Sequence, residues 1–422
     1  MTRLHYLKND SFRMSLIFRR FRWMYMSFYP VIKIFSTDNS LLNKKICHIM
    51  ISFFPGHKRS KMTYFDSTVQ ASMRKEVLTH KASDSGDTVL KGTIKSDQAF
   101  DHFDANKDGK LDQKEFDDLL ADLFRDATGK PHPIDGTKSS ELFAMFKDSA
   151  EDGITLQAFQ KCWDCWIKHI LRPISALVVV DVQNDFISGS LAIKSQPAKE
   201  DGADLVPIIN GLLDTVPFDN IIYSQDWHPT NHISFFDNLN LPGRDFAEDS
   251  PIKKEDATLF SNVIFQGPPR TDQTLWPRHC VQGTEGADFH KDLTMHPLGL
   301  IVQKGTNPNI DSYSAFFDNG KLAKTELDEK LKEKGVTDVY TCGIATDVCV
   351  SFTSNDAQDL GYRTILVDNA SGGITPEGIF KTKNDIKAKH GIIVNSSEVK
   401  DLVQGLNRPF ELGYAKALQC KS

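Results

Sequence analysis

Apolar residues recur at three- and four-residue spacings between about Ser96 and His169: Phe100 and Phe103, then Phe116, Leu119, Leu120, Leu123 and Phe124, then Leu142, Phe143 and Phe146. Such spacing lines one face of a helix, so the segment predicts a small all-α module over about residues 90–170. The Gly- and Pro-containing stretch TGKPHPIDGTK separates its two halves. From Ile174 onward the pattern changes to short β-branched runs: ALVVVD, NIIYSQD, GLIVQK, TDVYTCG, RTILVD and GIIV. Helical stretches alternate with them, one ending near Val216, a charged one from Lys321 to Lys334 and one running through Leu360. Strands apolar on both faces and separated by helices predict an α/β domain over residues 174–405, an open parallel sheet covered by helices on both faces. Right-handed crossovers place all the strand C-termini on one edge, where a ligand crevice forms.

The composition, 40% hydrophobic and 25% charged over 422 residues, excludes a disordered or collagen-like chain. A net charge of -6 gives no argument for nucleic acid or a membrane surface, but its distribution is uneven. Residues 1–61 carry +10 and the remainder -16. This basic, aromatic head is expected to be a disordered extension or a mitochondrial targeting segment, composition alone leaving both readings open. Seven scattered cysteines do not form a secreted disulfide framework, so a reducing, cytoplasmic setting is expected. No apolar run approaches the ~20 residues of a membrane helix.

The segment DANKDGKLDQKE matches a calcium-binding EF-hand loop position by position: Asp104, Asn106 and Asp108, then Gly109, the backbone carbonyl of Lys110, Asp112 and finally Glu115. Ca2+ takes about seven oxygens, so alternate residues must point inward, with a glycine at the sharp turn and a bidentate carboxylate at the end. EF-hands pair, and the second candidate lies between Lys147 and Phe159. Aligning Ile154 with Leu111 puts Lys147 at position 1 and Ala158 at position 12, which removes both anchoring carboxylates. It is expected to pair with the first loop without binding an ion.

Three motifs leave predicted strand C-termini. DVQNDF supplies Asp181, QKGTNPNIDSYSAF supplies Lys304 and CGIATDVC supplies Cys349: a base, a cation and a thiol. Cys349 falls in the first turn of a predicted helix, where free N–H groups favour thiolate. Taken alone, a cysteine in an apolar helix turn is more often a small packing residue. A second set, Asp226, His228 and His232 of DWHPTNH with His279 of WPRHC, mixes carboxylate and imidazole donors as Zn2+, Fe2+ or Mn2+ sites do. Cys162 and Cys165 lack a second pair or a nearby His and read as packing beside Trp163 and Trp166.

Over about residues 174–405 these motifs resemble the nicotinamidases of the isochorismatase-like cysteine hydrolase family. The resemblance implies an Asp181–Lys304–Cys349 triad. It also implies a cis peptide between Ile344 and Ala345, and an oxyanion hole made by the N–H groups of Ala345 and Cys349. Asp226, His228 and His279 would hold a divalent metal that fixes a pyridine nitrogen, with His232 as a ligand or just behind them. Phe186 and Trp276 would flank the ring with Tyr313 nearby, although Trp276 serves equally well as core packing. The expected function is metal-assisted hydrolysis of nicotinamide to nicotinate and ammonia through a cysteine thioester, in NAD salvage. The expected cofactors are Zn2+, with Fe2+ or Mn2+ as alternatives, and Ca2+ at the EF-hand. The expected partner is the small-molecule substrate, with no nucleic acid and no membrane span; a homo-oligomer is compatible with the sequence. Two alternatives remain at this level: another amidohydrolase of the same family, or a calcium-responsive binding protein without turnover.

Overall fold

The computed structural model describes residues 95–149 and 151–420, all of which belong to the unit Ala71–Ser422. The basic head, residues 1–61, lies outside the described residues. The first described helix, α1 (Ser96–Phe103), leads through a turn and β1 (Lys110–Leu111) into α2 (Gln113–Leu123). After the linker come α3 (Gly136–Phe146), β2 (Ile154–Thr155) and α4 (Leu156–Cys162), which continues through a π-turn at Trp163–Ile167. β1 and β2 pair antiparallel with Leu111 opposite Ile154, the alignment expected of the two loops. Phe100, Phe116, Leu119, Leu123, Leu142, Phe159 and Trp166 form the buried core of this module.

The apolar runs from Ile174 onward become six parallel strands: β3 (Ser175–Val180), β4 (Asn220–Asp226), β7 (Leu300–Lys304), β8 (Asp338–Ile344), β9 (Arg363–Gly372) and β10 (Ile392–Val394). Their order is β10-β9-β8-β3-β4-β7. β3, buried at every position, is the centre. The chain adds β4 and β7 on one side of β3 and then returns to place β8 on the other, so the order reverses beside β3. A crevice opens at the C-terminal edge where strand order reverses. The helices α5 (Gly202–Thr215), α6 (Leu327–Glu333), α7 (Cys349–Asp359), α8 (Pro376–Ala388) and α9 (Ser396–Val403) pack around the sheet. Separate apolar clusters form on its two faces, one around Leu177, Val179 and Tyr340, the other around Val178, Val180 and Val339.

Three features depart from the sequence reading. The helix expected from Lys321 starts only at Leu327. Before it, Lys321 takes a left-handed turn with φ 53, and the Asp318 carboxylate accepts the N–H groups of Leu322 and Ala323, holding those residues out of a helix. A hairpin, β5 (Asn262–Phe265) and β6 (Thr271–Thr274), stands apart from the main sheet. Beyond residue 405, α10 (Phe410–Gln419) crosses to the helical module, where Phe410, Tyr414 and Ala417 enter the core containing Phe124 and Trp166. Trp166 Nε1 donates to the Gly413 carbonyl at 2.7 Å, and Arg408 donates to the carbonyls of Leu123 and Asp122 at the end of α2. A Cβ on Gly413 would lie 2.2 Å from Phe124, so only glycine permits this approach. The module is therefore completed by the chain's far end. Among the described residues no helix is long and apolar enough to cross a membrane.

Candidate active site

The sheet delivers its chemistry at adjacent strand ends. Asp226 and Lys304 are the last residues of β4 and β7 and stand opposite each other in register, Asp181 follows β3, and Cys349 opens α7 just after β8. Asp181 holds φ 48, a left-handed conformation uncommon for a non-glycine residue and often found where a side chain must be aimed at a site. Lys304 is 2% exposed and lies at the centre. Its Nζ is 2.8 Å from Asp181 Oδ2, 2.5 Å from Asp226 Oδ1, 3.0 Å from the Ser312 carbonyl and 3.4 Å from Cys349 Sγ. Ser224 donates to Asp181 Oδ1 at 2.6 Å; two residues from Asp226 along β4, it shares that residue's face of the strand.

Burial and this one cation set the protonation states. Burial raises Asp181, and Lys304 offsets the rise only in part, so its carboxyl stays above the usual range. Burial also raises the Cys349 thiol well above its ordinary value, against the pull of Lys304. The helix N-terminus was expected to favour thiolate, but the loss of solvation outweighs it. The resting thiol keeps its proton, and the raised Asp181 beside it is a matched acceptor. Asp226 behaves oppositely. Burial would raise it, but Lys304 and then His228 hold it well below the usual carboxylate range.

Asp226, His228 and His279 are buried, with donor atoms all within 4.8 Å of one another. His228 Nδ1 is 2.9 Å from the Gly305 carbonyl, and His279 Nδ1 is 2.7 Å from that of Pro277. Each ring therefore donates through Nδ1, as backbone carbonyls orient metal-binding imidazoles, and turns Nε2 toward Asp226 Oδ2, at 3.5 Å from His228 and 4.0 Å from His279. Burial and the neighbouring His228 lower His279 to about 4, keeping it in the neutral form a metal needs. His232 stacks on His228 with centroids 4.1 Å apart, and its buried Nε2 has no hydrogen-bond partner. An unpartnered buried nitrogen beside three donor groups fits a cation there, and His228, His232 and Asp311 form a second such group sharing His228. Gln183 fixes this edge, its amide exchanging hydrogen bonds of 2.8 Å with both backbone groups of Asp226.

The pocket above these groups is lined by Phe186, Trp276, Tyr313 and Ile374, with Asp226 and His279 among its polar walls and Ala345 and Cys349 also facing it. The three aromatic residues expected at a ring site thus share one wall system, and Trp276 is also part of the core, donating Nε1 to Tyr313 OH at 3.2 Å. The Ile344–Ala345 peptide is cis, as expected. The hydrogen bonds of the following turn run from Val348 and Val350 to the Ala345 carbonyl, and those of Ala345 and Cys349 N–H are not among them.

Several contributors escaped the sequence reading. Asp311 accepts Ser312 N–H at 2.8 Å and Gln273 Nε2 at 3.0 Å, thereby steadying the carbonyl that receives Lys304. It lies inside the quoted motif QKGTNPNIDSYSAF, but only the tertiary contacts reveal its task. Gly305, at φ 64, faces the His228 ring so closely that a Cβ would lie 2.3 Å from Cε1. Gly305→Ala is expected to displace His228 and weaken metal binding by about 10- to 100-fold, read as metal retained after dialysis.

In the helical module the expected calcium residues are hydrogen-bonded to the loop's own backbone. Asp104 accepts the N–H groups of Asp108 and Gly109, while Glu115 accepts those of Ala105, Asn106 and Asp112. Asn106 Oδ1 accepts Asp108 N–H at 2.9 Å, and Asp108 Oδ1 accepts that of Lys110. Asp112 caps α2 by accepting Glu115 N–H at 2.8 Å. Gly109 sits at the turn with φ 88. Among the described residues, the clusters of acidic, His and Cys side chains tight enough to share one ion all lie in the α/β site; the loop's carboxylates are turned onto its own backbone.

The isochorismatase domain family matches residues 175–398. A nicotinamidase of Escherichia coli K12 is 37% identical over 204 residues, covering 48% of this chain and 84% of its own length. One from Acinetobacter baylyi is 40% identical over 214 residues, 48% of this chain and 83% of its own. One from Saccharomyces cerevisiae is 34% identical over 235 residues, 52% of this chain and 99% of its own. The family match ends before α10 and begins after the helical module.

Proposed function

The chain belongs to the isochorismatase family, and from that premise we propose that it is an amidohydrolase that converts nicotinamide and water to nicotinate and ammonia. The observation that carries the reading is the burial of Lys304 between Asp181 and Asp226 with Cys349 Sγ at 3.4 Å, because this one cation, paired with both carboxylates, joins the nucleophile to the residues that would hold a metal. Asp181 takes the thiol proton as Cys349 Sγ attacks the carboxamide carbon. The N–H groups of Ala345 and Cys349 receive the developing oxyanion, each such donor contributing about 3–4 kcal/mol to the rate. Asp181 returns the proton to the departing nitrogen, so ammonia leaves and a thioester stays on Cys349. It then takes a proton from water, whose oxygen attacks the thioester, and returns that proton to Cys349 Sγ as the C–S bond breaks, freeing nicotinic acid, which ionises to nicotinate. Lys304 holds its positive charge throughout and keeps both carboxylates compatible with burial. Asp226, His228 and His279 would hold a divalent cation, with His232 beside them; bound there, it supplies an anchor for the ring nitrogen and polarises the substrate. The mixed N/O donor set suits Zn2+. Phe186, Trp276 and Tyr313 enclose the ring.

Metal-loaded protein is expected to release ammonia and nicotinate in equal amounts. A chelator should stop the reaction, and added Zn2+ should restore it. Absence of turnover in protein with metal bound at full occupancy would contradict the reading.

The module before the α/β domain is read as an EF-hand pair in which the loop Asp104–Glu115 binds one Ca2+. Six positions of the required type, the antiparallel bridge to the second loop and the burial of Asp104 and Glu115 support this. Titration calorimetry is expected to give one Ca2+ per chain, and Glu115→Gln should weaken it by at least about tenfold because one charged end of the bidentate ligand is lost. Two equivalents, or unchanged affinity in the variant, would place the ion elsewhere.

A further inference from the structure

The segment Gly372–Thr375 leaves the end of β9 and borders the pocket through Ile374, and nearly every backbone polar group in it is held by another part of the chain. Thr346 N–H donates to the Gly372 carbonyl at 2.9 Å, and Ala198 N–H donates to the Ile374 carbonyl at 2.8 Å. Glu200 Oε2 accepts Gly373 N–H at 2.6 Å. Asp347 accepts the rest: Ile374 N–H on Oδ1 at 2.8 Å, and Thr375 N–H and Oγ1–H on Oδ2, both at 2.9 Å. Thr375 in turn caps α8 by accepting Gly378 N–H at 3.1 Å. Gly373 and Gly378 crowd the same carboxylate, a Cβ on Gly378 falling 2.5 Å from Asp347 Oδ2. Asp347 lies within the turn that joins Ala345 to Cys349. One carboxylate therefore fastens the strap to the stretch of backbone that carries the nucleophile.

The strap presents Ile374 to the pocket. Phe186, Leu191, Ile193 and Trp276 of the apolar lining are members of the buried core, whereas Ile374, like Val348 and Tyr313, is half-buried and packs against it, and of these three Ile374 alone stands on the strap. Changing the core members disturbs the fold. Ile374 can be trimmed without opening the interior, and its backbone is too firmly held to drift in response. A wall with those properties sets a size limit.

Building on the carboxamide reading above, we propose that Ile374 is the specificity-determining residue that limits which ring substituents a pyridine carboxamide can carry, and that Asp347 is the positioning residue that fixes it against the catalytic turn. One methyl or methylene group in an apolar pocket changes discrimination by about 10- to 200-fold, so trimming Ile374 has a readable effect. Asp347→Asn keeps the shape but replaces one acceptor oxygen with an NH2 group. Both oxygens now face N–H donors, so either orientation of the amide sets donor against donor.

The test compares kcat and KM for nicotinamide and for a set of ring-methylated nicotinamides, using the metal-loaded full chain. Because the ratio of kcat/KM between two substrates does not depend on the amount of active enzyme, partial unfolding of a variant leaves it unchanged. Ile374→Ala is expected to raise the ratio for at least one methylated substrate by about tenfold or more, mainly through KM. Asp347→Asn is expected to lower kcat for every substrate and to relax the same ratio. A ratio unchanged in both variants, with wild-type turnover intact, overturns the inference alone. Absence of nicotinamide turnover in the metal-loaded wild type overturns the carboxamide reading and the inference with it.

Discussion

Replacing Cys349 with alanine is expected to lower nicotinamide hydrolysis by about 10^4- to 10^6-fold, the range in which removal of a nucleophile acting within a unit falls. Metal content should not change, because Cys349 is not needed to complete the group formed by Asp226, His228 and His279. Stability should stay within about 1 kcal/mol of wild type, because a buried Sγ is exchanged for a small space bordered by the open pocket. The combined signature separates a lost nucleophile from a collapsed site. Ammonia release and metal analysis on the same preparation check it, and substantial residual turnover would show that the thiol does not attack the substrate.

Lys304→Met should have the largest effect on stability. The substitution keeps the apolar stem but removes the one cation that contacts both Asp181 and Asp226, each of which is nearly inaccessible to water. Breaking a buried ion pair by removing one partner costs about 3–5 kcal/mol, and here two carboxyls lose their counter-charge. Chemical denaturation of metal-free protein measures the loss without the contribution of bound metal. Turnover should fall as well, since the contact to Cys349 and the orientation of Asp181 disappear together. A variant as stable as the wild type would mean that the carboxyls are already neutral and that the charge arrangement described above is wrong.

Much of the α/β fold was legible because each central strand is covered on both faces and so reads as an uninterrupted apolar run; ALVVV became the fully buried β3. The charged segment from Lys321 was less legible. Its composition suits a helix, but the Asp318 carboxylate captures the first N–H groups and delays the helix to Leu327. Nothing local in α10 tells which core it joins, because Phe410 and Tyr414 find their partners, Phe124 and Trp166, nearly the whole described chain away. In the site, Asp181, Lys304 and Cys349 were legible because their chemistry restricts the residue types and because strand ends bring them together. Asp311, Ser224, Gly305 and Asp347 were not, since each acts through a contact made only in the folded chain. The thiol's protonation was misjudged for a related reason: a helix N-terminus can be read from sequence, whereas complete burial of the sulfur cannot.

The thioester on Cys349 is the step on which the account depends, and its interception by hydroxylamine during turnover of nicotinamide by the metal-loaded enzyme tests it most directly. Nicotinohydroxamate is expected to replace nicotinate in proportion to the hydroxylamine added, and neither product is expected to form with Cys349→Ala. Continued release of ammonia with nicotinate as sole product, whatever the hydroxylamine concentration, would contradict it.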